Sequence, residues 1–151
     1  RQEITSIPAI GNSRFEDALN AKKGGYLVKS SEDPAITLVA NGSEVATLIE
    51  AAEELEHIIK IKINVASIIS EGLFRSQPKA YQESVIPHNQ LVFGLTAGLP
   101  VNLENLVGSK GKVFGLDHFG YSAPASVLDQ KFGFTSKNAC EEIIKYLEQN
   151  N

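Results

Sequence analysis

The sequence predicts an α/β fold: a doubly wound, mostly parallel sheet of about five strands, four parallel and one antiparallel, with helices on both faces. Three observations lead there. Short apolar runs bounded by turn residues recur at residues 35–40, 61–66, 90–95 and 112–116. Amphipathic stretches of helical spacing alternate with them, and that alternation builds parallel sheets whose two faces are covered. A further strand, Gly25-Tyr26-Leu27-Val28, lies too near the next run for a crossover helix, so it must pair antiparallel or sit at an edge.

In chain order, residues 1–24 read as an arm or inter-domain linker. Pro8, Gly11 and the Lys22-Lys23-Gly24-Gly25 run are loop signals, with a short helix around residues 15–19. The domain proper is residues 25–151. After the turn cluster at 30–34, the apolar run through Ile36, Leu38, Val39 and Ala40 has the character of a strand buried on both faces. Asn41 with Glu44 three residues on forms a capping box. It opens a helix over 43–57, in which Val45, Leu48, Ile49, Ala52 and Leu55 share one face and Glu50, Glu53, Glu54 and Glu56 fall between them. A strand follows at 61–66, then short helices at 70–77 and 79–85, and strands at 90–95 and 112–116. Pro124 sits in the first turn of a helix ending near Phe132, where proline is tolerated. Thr135 or Ser136 caps a last helix with Cys140, Ile143, Ile144 and Leu147 on one stripe.

Composition narrows the function classes. A chain of 151 residues is long enough for one domain with a real core. Fourteen Lys and Arg against eighteen Asp and Glu give a net charge of −4, a poor match to nucleic acid or an anionic membrane, so neither is expected as a partner. A single Cys excludes a disulfide framework, a cysteine-rich zinc site and an iron–sulfur cluster. No apolar run approaches the roughly 20 residues that span a bilayer. There is no Met and the chain opens Arg1-Gln2-Glu3, so either a leader has been removed or the sequence is a piece of something longer.

Ligands of doubly wound sheets sit at the carboxyl ends of the strands. The loops to search are therefore 41–44, 66–70, 96–98 and 117–120. Asn41-Gly42-Ser43 opens a helix whose free N–H groups suit an anion, but Glu44 in the first turn already answers the dipole. Neither a G-x-G-x-x-G nor a G-x-x-x-x-G-K-[ST] motif occurs, so a capped helix start is the reading there. The same tripeptide matches a glycosylation sequon, a coincidence in the absence of a secretory signal. Asp117-His118 is the most suggestive acid–base pair, yet neighbours on a strand face opposite ways and form no dyad unless the chain turns. His57 belongs to a helix end and His88 to a turn after Pro87, and the three His lack metal-ligand spacing. Cys140 reads as core packing. No G-x-S-x-G elbow is present. The residues thus describe a doubly wound domain without a catalytic constellation. A free-standing module binding a small anion at residues 42–44 or 117–120 stays open, while a small hydrolase is disfavoured because no nucleophile–base pair can be assembled.

Three stretches, taken together, resemble one family. Lys23-Gly24-Gly25-Tyr26 precedes Val39-Ala40-Asn41-Gly42-Ser43-Glu44-Val45 and Glu50-Ala51-Ala52. Phe74 to Gln77 and Tyr81-Gln82-Glu83-Ser84-Val85-Ile86-Pro87 come next. Gly115-Leu116-Asp117-His118-Phe119-Gly120-Tyr121-Ser122-Ala123-Pro124 and Phe132-Gly133-Phe134-Thr135 complete the set. In this order they resemble the C-terminal domain of transketolases, over nearly the whole chain. The sequence departs from the usual pattern at Thr96, where Glu is common, at Leu103 and Leu106, where aromatics are common, and at Glu3-Ile4-Thr5. The resemblance implies a non-catalytic, dimer-supporting domain. It also implies a parent enzyme of the pentose phosphate pathway, cytoplasmic and homodimeric, that moves a two-carbon ketol unit between sugar phosphates. Thiamine diphosphate and magnesium or calcium would belong to that parent's other domains, leaving no cofactor or metal and no catalytic residue on this chain. Arg1 resembles the arginine that closes the preceding pyrimidine-binding domain and holds the sugar's phosphate, a task suited to a guanidinium fork. The implied partners are the remaining transketolase domains, a homodimer mate and the sugar phosphate. The alternatives are the free-standing binding module or a subunit of a split transketolase.

Overall fold

The computed structural model describes residues 6–11 and 13–150; Arg1 lies outside them. Five strands form one sheet: β1 (Gly25–Lys29), β2 (Ile36–Ala40), β3 (Ile63–Ile68), β4 (Leu91–Leu95) and β5 (Lys112–Phe114). Their spatial order is β1-β3-β2-β4-β5. β2 runs parallel to β3 and β4, and β4 parallel to β5, whereas β1 pairs antiparallel with β3 at the edge. The short connection after β1 does force the antiparallel pairing expected of it. Before the sheet come α1 (Arg14–Ala18) and a 3-10 turn, Leu19–Lys23. Between and after the strands lie α2 (Glu44–Ile58), α3 (Glu71–Arg75), α4 (Lys79–Val85), α5 (Val101–Val107), α6 (Ala125–Phe132) and α7 (Ser136–Glu148). No helix among the described residues is long and apolar enough to cross a membrane.

The strand period of two divides the core into two layers. Ile36, Leu38, Ile63, Val65, Phe93 and Leu95 face α2 and α7, whose Leu48, Leu55, Cys140 and Ile143 complete that layer. Val39, Ala66, Ile68 and Val92 face the other way, against Phe74 of α3, Val85 and Ile86 at the end of α4, and Val107 of α5. Each fully buried Leu, Ile or Phe contributes about 1.5–3 kcal/mol of transfer free energy. Polar residues in the layers are bonded. Thr37 is wholly buried and donates its hydroxyl to Gln90 Oε1 at 3.3 Å, while Gln90 Nε2 donates to Pro34 O at 2.9 Å.

Three details differ from the sequence-based expectations. The Asn41–Glu44 capping box does not form. Ser43 occupies the cap position already in helical conformation, and the first turn closes through Val45 N to Gly42 O and Ala46 N to Ser43 O. Asn41 is therefore too early in the chain to serve as cap, and Glu44 Oε1 instead accepts from Ser43 Oγ at 2.8 Å. β3 begins and ends two residues later than the apolar run, because its pairing with β1 extends to Ile68 opposite Gly25 and its start is fixed by Glu56. α5 was not anticipated at all.

Two local devices hold the edge of the sheet. Glu56 on α2 accepts from Lys29 Nζ at 2.9 Å, from Ser31 Oγ at 3.3 Å and from Ile63 N at 3.1 Å, tying β1, the following loop and β3 to one carboxylate. Gly24 turns the chain into β1 at φ +86° and accepts from Ser70 N at 2.9 Å. A Cβ there would lie 2.3 Å from Phe74 N and 2.5 Å from Ser70 O, both backbone atoms. Gly24→Ala should therefore cost about 3 kcal/mol or more, from left-handed backbone strain and overpacking together, read as a lowered denaturant midpoint. A midpoint unchanged from the parent chain would mean the turn relaxes freely.

Burial alone pushes the Glu56 carboxyl up, but the Lys29 ammonium, the Ile63 N–H and the Ser31 hydroxyl outweigh it and hold the group below its ordinary value of 4.5. A depressed carboxylate contributes stability above its unfolded pKa, and that contribution fades as pH falls through the folded value. Glu56→Gln should cost about 1–2 kcal/mol at neutral pH and flatten the acid limb of the stability curve below about pH 4.5. Parallel acid limbs in urea titrations of the two proteins would remove this role.

Candidate functional site

The carboxyl ends of β2, β3, β4 and β5 bring the four loops to one edge of the sheet, at the place where ligands of such folds bind. The order of strands reverses between β2 and β4, so the loops at Asn41 and Thr96 flank the switch. After β2, Asn41 and Gly42 are exposed and Glu44, in the first turn of α2, is buried. After β3, Ser70 caps α3 by accepting from Leu73 N, and its own N–H donates to Gly24 O. After β4, Thr96 Oγ1 accepts from Gly98 N at 3.1 Å, and Thr96 N donates to Phe114 O at 3.0 Å.

The loops after β4 and β5 are joined directly. Leu116 N donates to Gly98 O at 2.9 Å. Gly115 lies so close that a Cβ would fall 2.8 Å from Gly98 O and 3.0 Å from Thr96 Cγ2. Backbone therefore fills the space between these strand ends, which explains why glycine opens the 115–124 stretch.

The histidines do not assemble. Asp117 and His118 lie beyond β5 on exposed loop, and among the described residues no hydrogen bond joins them. His118 Nδ1 lies 2.8 Å from Phe119 O. Its ring stands 6.0 Å from that of Tyr121 and 5.4 Å from that of Phe132, and Lys131 Nζ lies 4.6 Å from the Tyr121 centroid. His57 is exposed in the last turn of α2. His88 pairs with Glu83, which also accepts from His88 N at 3.0 Å. Among the described residues no three His, Cys, Asp or Glu side chains gather as a donor set for a metal. The described side chains therefore do not fit a divalent cation.

Cys140 occupies the α2–α7 layer, its Sγ donating to Ala51 O at 3.4 Å and lying 3.6 Å from Glu54 Oε2. Burial, then the neighbouring Glu54 carboxylate, push its thiol up to about 12, so the nucleophilic thiolate is not formed near neutrality.

What the edge does present is apolar surface. Ile69 and Leu73 after β3, Leu99 and Val101 after β4, and Phe119 and Tyr121 after β5 are all more than half exposed, Phe119 at 96%. Sequence reasoning missed this rim because exposure is a tertiary property. The available signal was two aromatic residues inside a loop rich in Gly, Ser and Pro.

The comparisons with known proteins agree with the fold. The family described as "Transketolase-like TK C-terminal domain" matches residues 24–135. Transketolase of Staphylococcus aureus (strain MW2) is 37% identical over 125 residues, covering 82% of this chain and 19% of the relative. Transketolase 1 of Vibrio vulnificus (strain YJ016) is 38% identical over 140 residues, covering 91% and 20%. The crystal structure of transketolase from Campylobacter jejuni superposes with a TM-score of 0.75 at 34% identity, over 83% of this chain and 19% of that one. The chain thus spans about a fifth of the length of the curated relatives it matches.

The placement of Cys140 is testable. Its raised thiol makes stability fullest below the unfolded thiol pKa and erodes it as pH rises through the range in which only the unfolded thiol ionises. Ellman's reagent should label Cys140 no faster than the chain unfolds, and denaturant should release the full thiol. Rapid stoichiometric labelling of the native chain would contradict the burial.

Proposed function

The chain belongs to the transketolase-like C-terminal domain family, and on that premise we propose that it is the non-catalytic, dimer-supporting C-terminal domain of a thiamine diphosphate-dependent transketolase. The full enzyme, in this reading, is a cytoplasmic homodimer that moves a two-carbon ketol unit between sugar phosphates of the pentose phosphate pathway. Thiamine diphosphate, bound with magnesium or calcium on other domains, supplies the reactive carbon.

The observation that carries this reading is the character of the strand-end edge. Its loops are stitched to one another, and the edge offers exposed Leu, Ile, Phe and Tyr side chains in place of convergent polar groups. An edge of that kind suits burial against the remaining domains of a protein about five times longer than this chain. Residues 1–24 then form the arm arriving from a preceding pyrimidine-binding domain, with 25–151 as the C-terminal domain. Arg1 binds the phosphate of the sugar substrate.

Two experiments test it. The isolated chain, supplied with thiamine diphosphate, magnesium and sugar phosphates, should show no ketol transfer, and activity should appear when the upstream domains are supplied. Turnover by the chain alone would refute the assignment of the chemistry elsewhere. In the full enzyme, Arg1→Ala should lower kcat/KM for sugar phosphates by the equivalent of about 1.5–3 kcal/mol, the loss of one charged hydrogen-bonding group. An unchanged specificity constant would take Arg1 out of the site.

A further inference from the structure

A groove of about 360 Å³ opens between α4 and α5, on the opposite side of the sheet from α2 and α7 and away from the strand-end loops. Its volume falls within the range of small-molecule sites. Its floor is apolar, formed by Phe74, Ile86, Val92 and Val107, all buried. Its walls carry Arg75, Lys79 and His88, and no Asp or Glu lines it, although the chain as a whole has a net charge of −4.

The polar groups are held in place. Gln82, buried on α4, donates from Nε2 to Arg75 O at 2.9 Å and to Gln77 O at 2.8 Å, locking the corner between α3 and α4. Its Oε1 accepts from Lys79 Nζ at 3.4 Å and so faces the groove wall. Arg75 pairs through Nε with Glu71 at 2.8 Å and donates from Nη2 to Asn105 O at 3.2 Å. The second bond covers a carbonyl in the last turn of α5, whose partial negative charge would otherwise oppose an anion. Of the five guanidinium N–H donors, these contacts engage two and leave others for a ligand. Of the nearby carboxylates, Glu71 is paired with Arg75 and Glu83 lies against His88.

We propose that this groove binds a small phosphate monoester: a dianionic head held by Arg75 and Lys79, and a compact apolar body against Val92 and Val107. A planar fork and an ammonium lining one groove suit a phosphate dianion better than a single carboxylate. The proposal is independent of which larger enzyme the chain serves.

The test is a titration of the isotopically labelled 151-residue chain with phenyl phosphate at pH 7.5, followed through backbone amide shifts. Benzoate serves as a monoanion with the same ring, and inorganic phosphate as the charge without the body. Saturating shifts at Arg75, Gln82, Val92 and Val107 are expected, with phenyl phosphate binding about tenfold tighter than either comparator. The double variant Arg75→Gln, Lys79→Gln should weaken binding at least about tenfold. Both positions are exposed, and an otherwise unchanged amide spectrum verifies the fold. Lys137→Gln, on α7 across the sheet, should leave the affinity as it is. Equal affinity of the double variant and the parent, equal loss in Lys137→Gln, or shifts confined to the 117–121 edge would each overturn the site.

Discussion

The enclosure of β2 is the constraint from which the rest of the structure follows. All five of its residues are buried, and it has a parallel neighbour on each side. A strand with both edges paired and both faces apolar can exist only if helices cover the sheet twice. Parallel pairing in turn demands long crossovers, and those crossovers are the helices. The one polar side chain in β2, Thr37, is accommodated because Gln90 comes from the start of the neighbouring strand to accept its hydroxyl. Left without that acceptor, a buried hydroxyl would cost about 1–3 kcal/mol.

The same arrangement decides what the strand ends can do. A doubly wound sheet normally leaves a crevice at its switch point, but here the loops beyond β4 and β5 lie against each other through Leu116 N and Gly98 O, with glycine at 115 permitting the approach. Thr96, beside the switch, is buried and bonded within its own loop. Thr96 Oγ1 and the backbone of Gly98 and Leu116 are already paired, and the large side chains facing outward beside them, Leu99, Val101, Phe119 and Tyr121, are mostly apolar. Such an edge gains free energy by being covered, at about 25 cal/mol per Å² of apolar area.

Legibility in the sequence followed the range of the interactions involved. β2, α2 and α7 were readable because apolar runs and helical stripes are local patterns, and the antiparallel β1 was readable because chain length alone forbids a crossover. α5 was not, since the seven residues Val101–Val107 give too few turns for a periodicity to show, and Leu103 and Val107 gain meaning only from Gly94 and Val113 of the sheet beneath them. The cap of α2 was misplaced because the capping-box spacing from Asn41 to Glu44 is a sequence pattern, whereas the helix start is set by backbone conformation, which is already helical at Ser43. The groove could not be seen at all: Arg75, Lys79, His88 and Val107 come from separate segments, and only the fold places them on one opening.

The two helical layers are unequal, and the inequality has a functional consequence. α2 and α7 have 15 and 13 residues, long enough to lay continuous stripes across the sheet. α3, α4 and α5 have five, seven and seven. Helices so short turn at each end and expose backbone that must be bonded, which is why Gln82 and the backbone of Arg75, Gln77 and Asn105 are tied together on that face. They also leave a groove between α4 and α5, above the buried Val92 and Val107. The long-helix layer thus carries the stability of the domain, while the short-helix layer, already furnished with fixed polar groups around an apolar floor, retains the geometry that recognition of a small amphipathic anion requires.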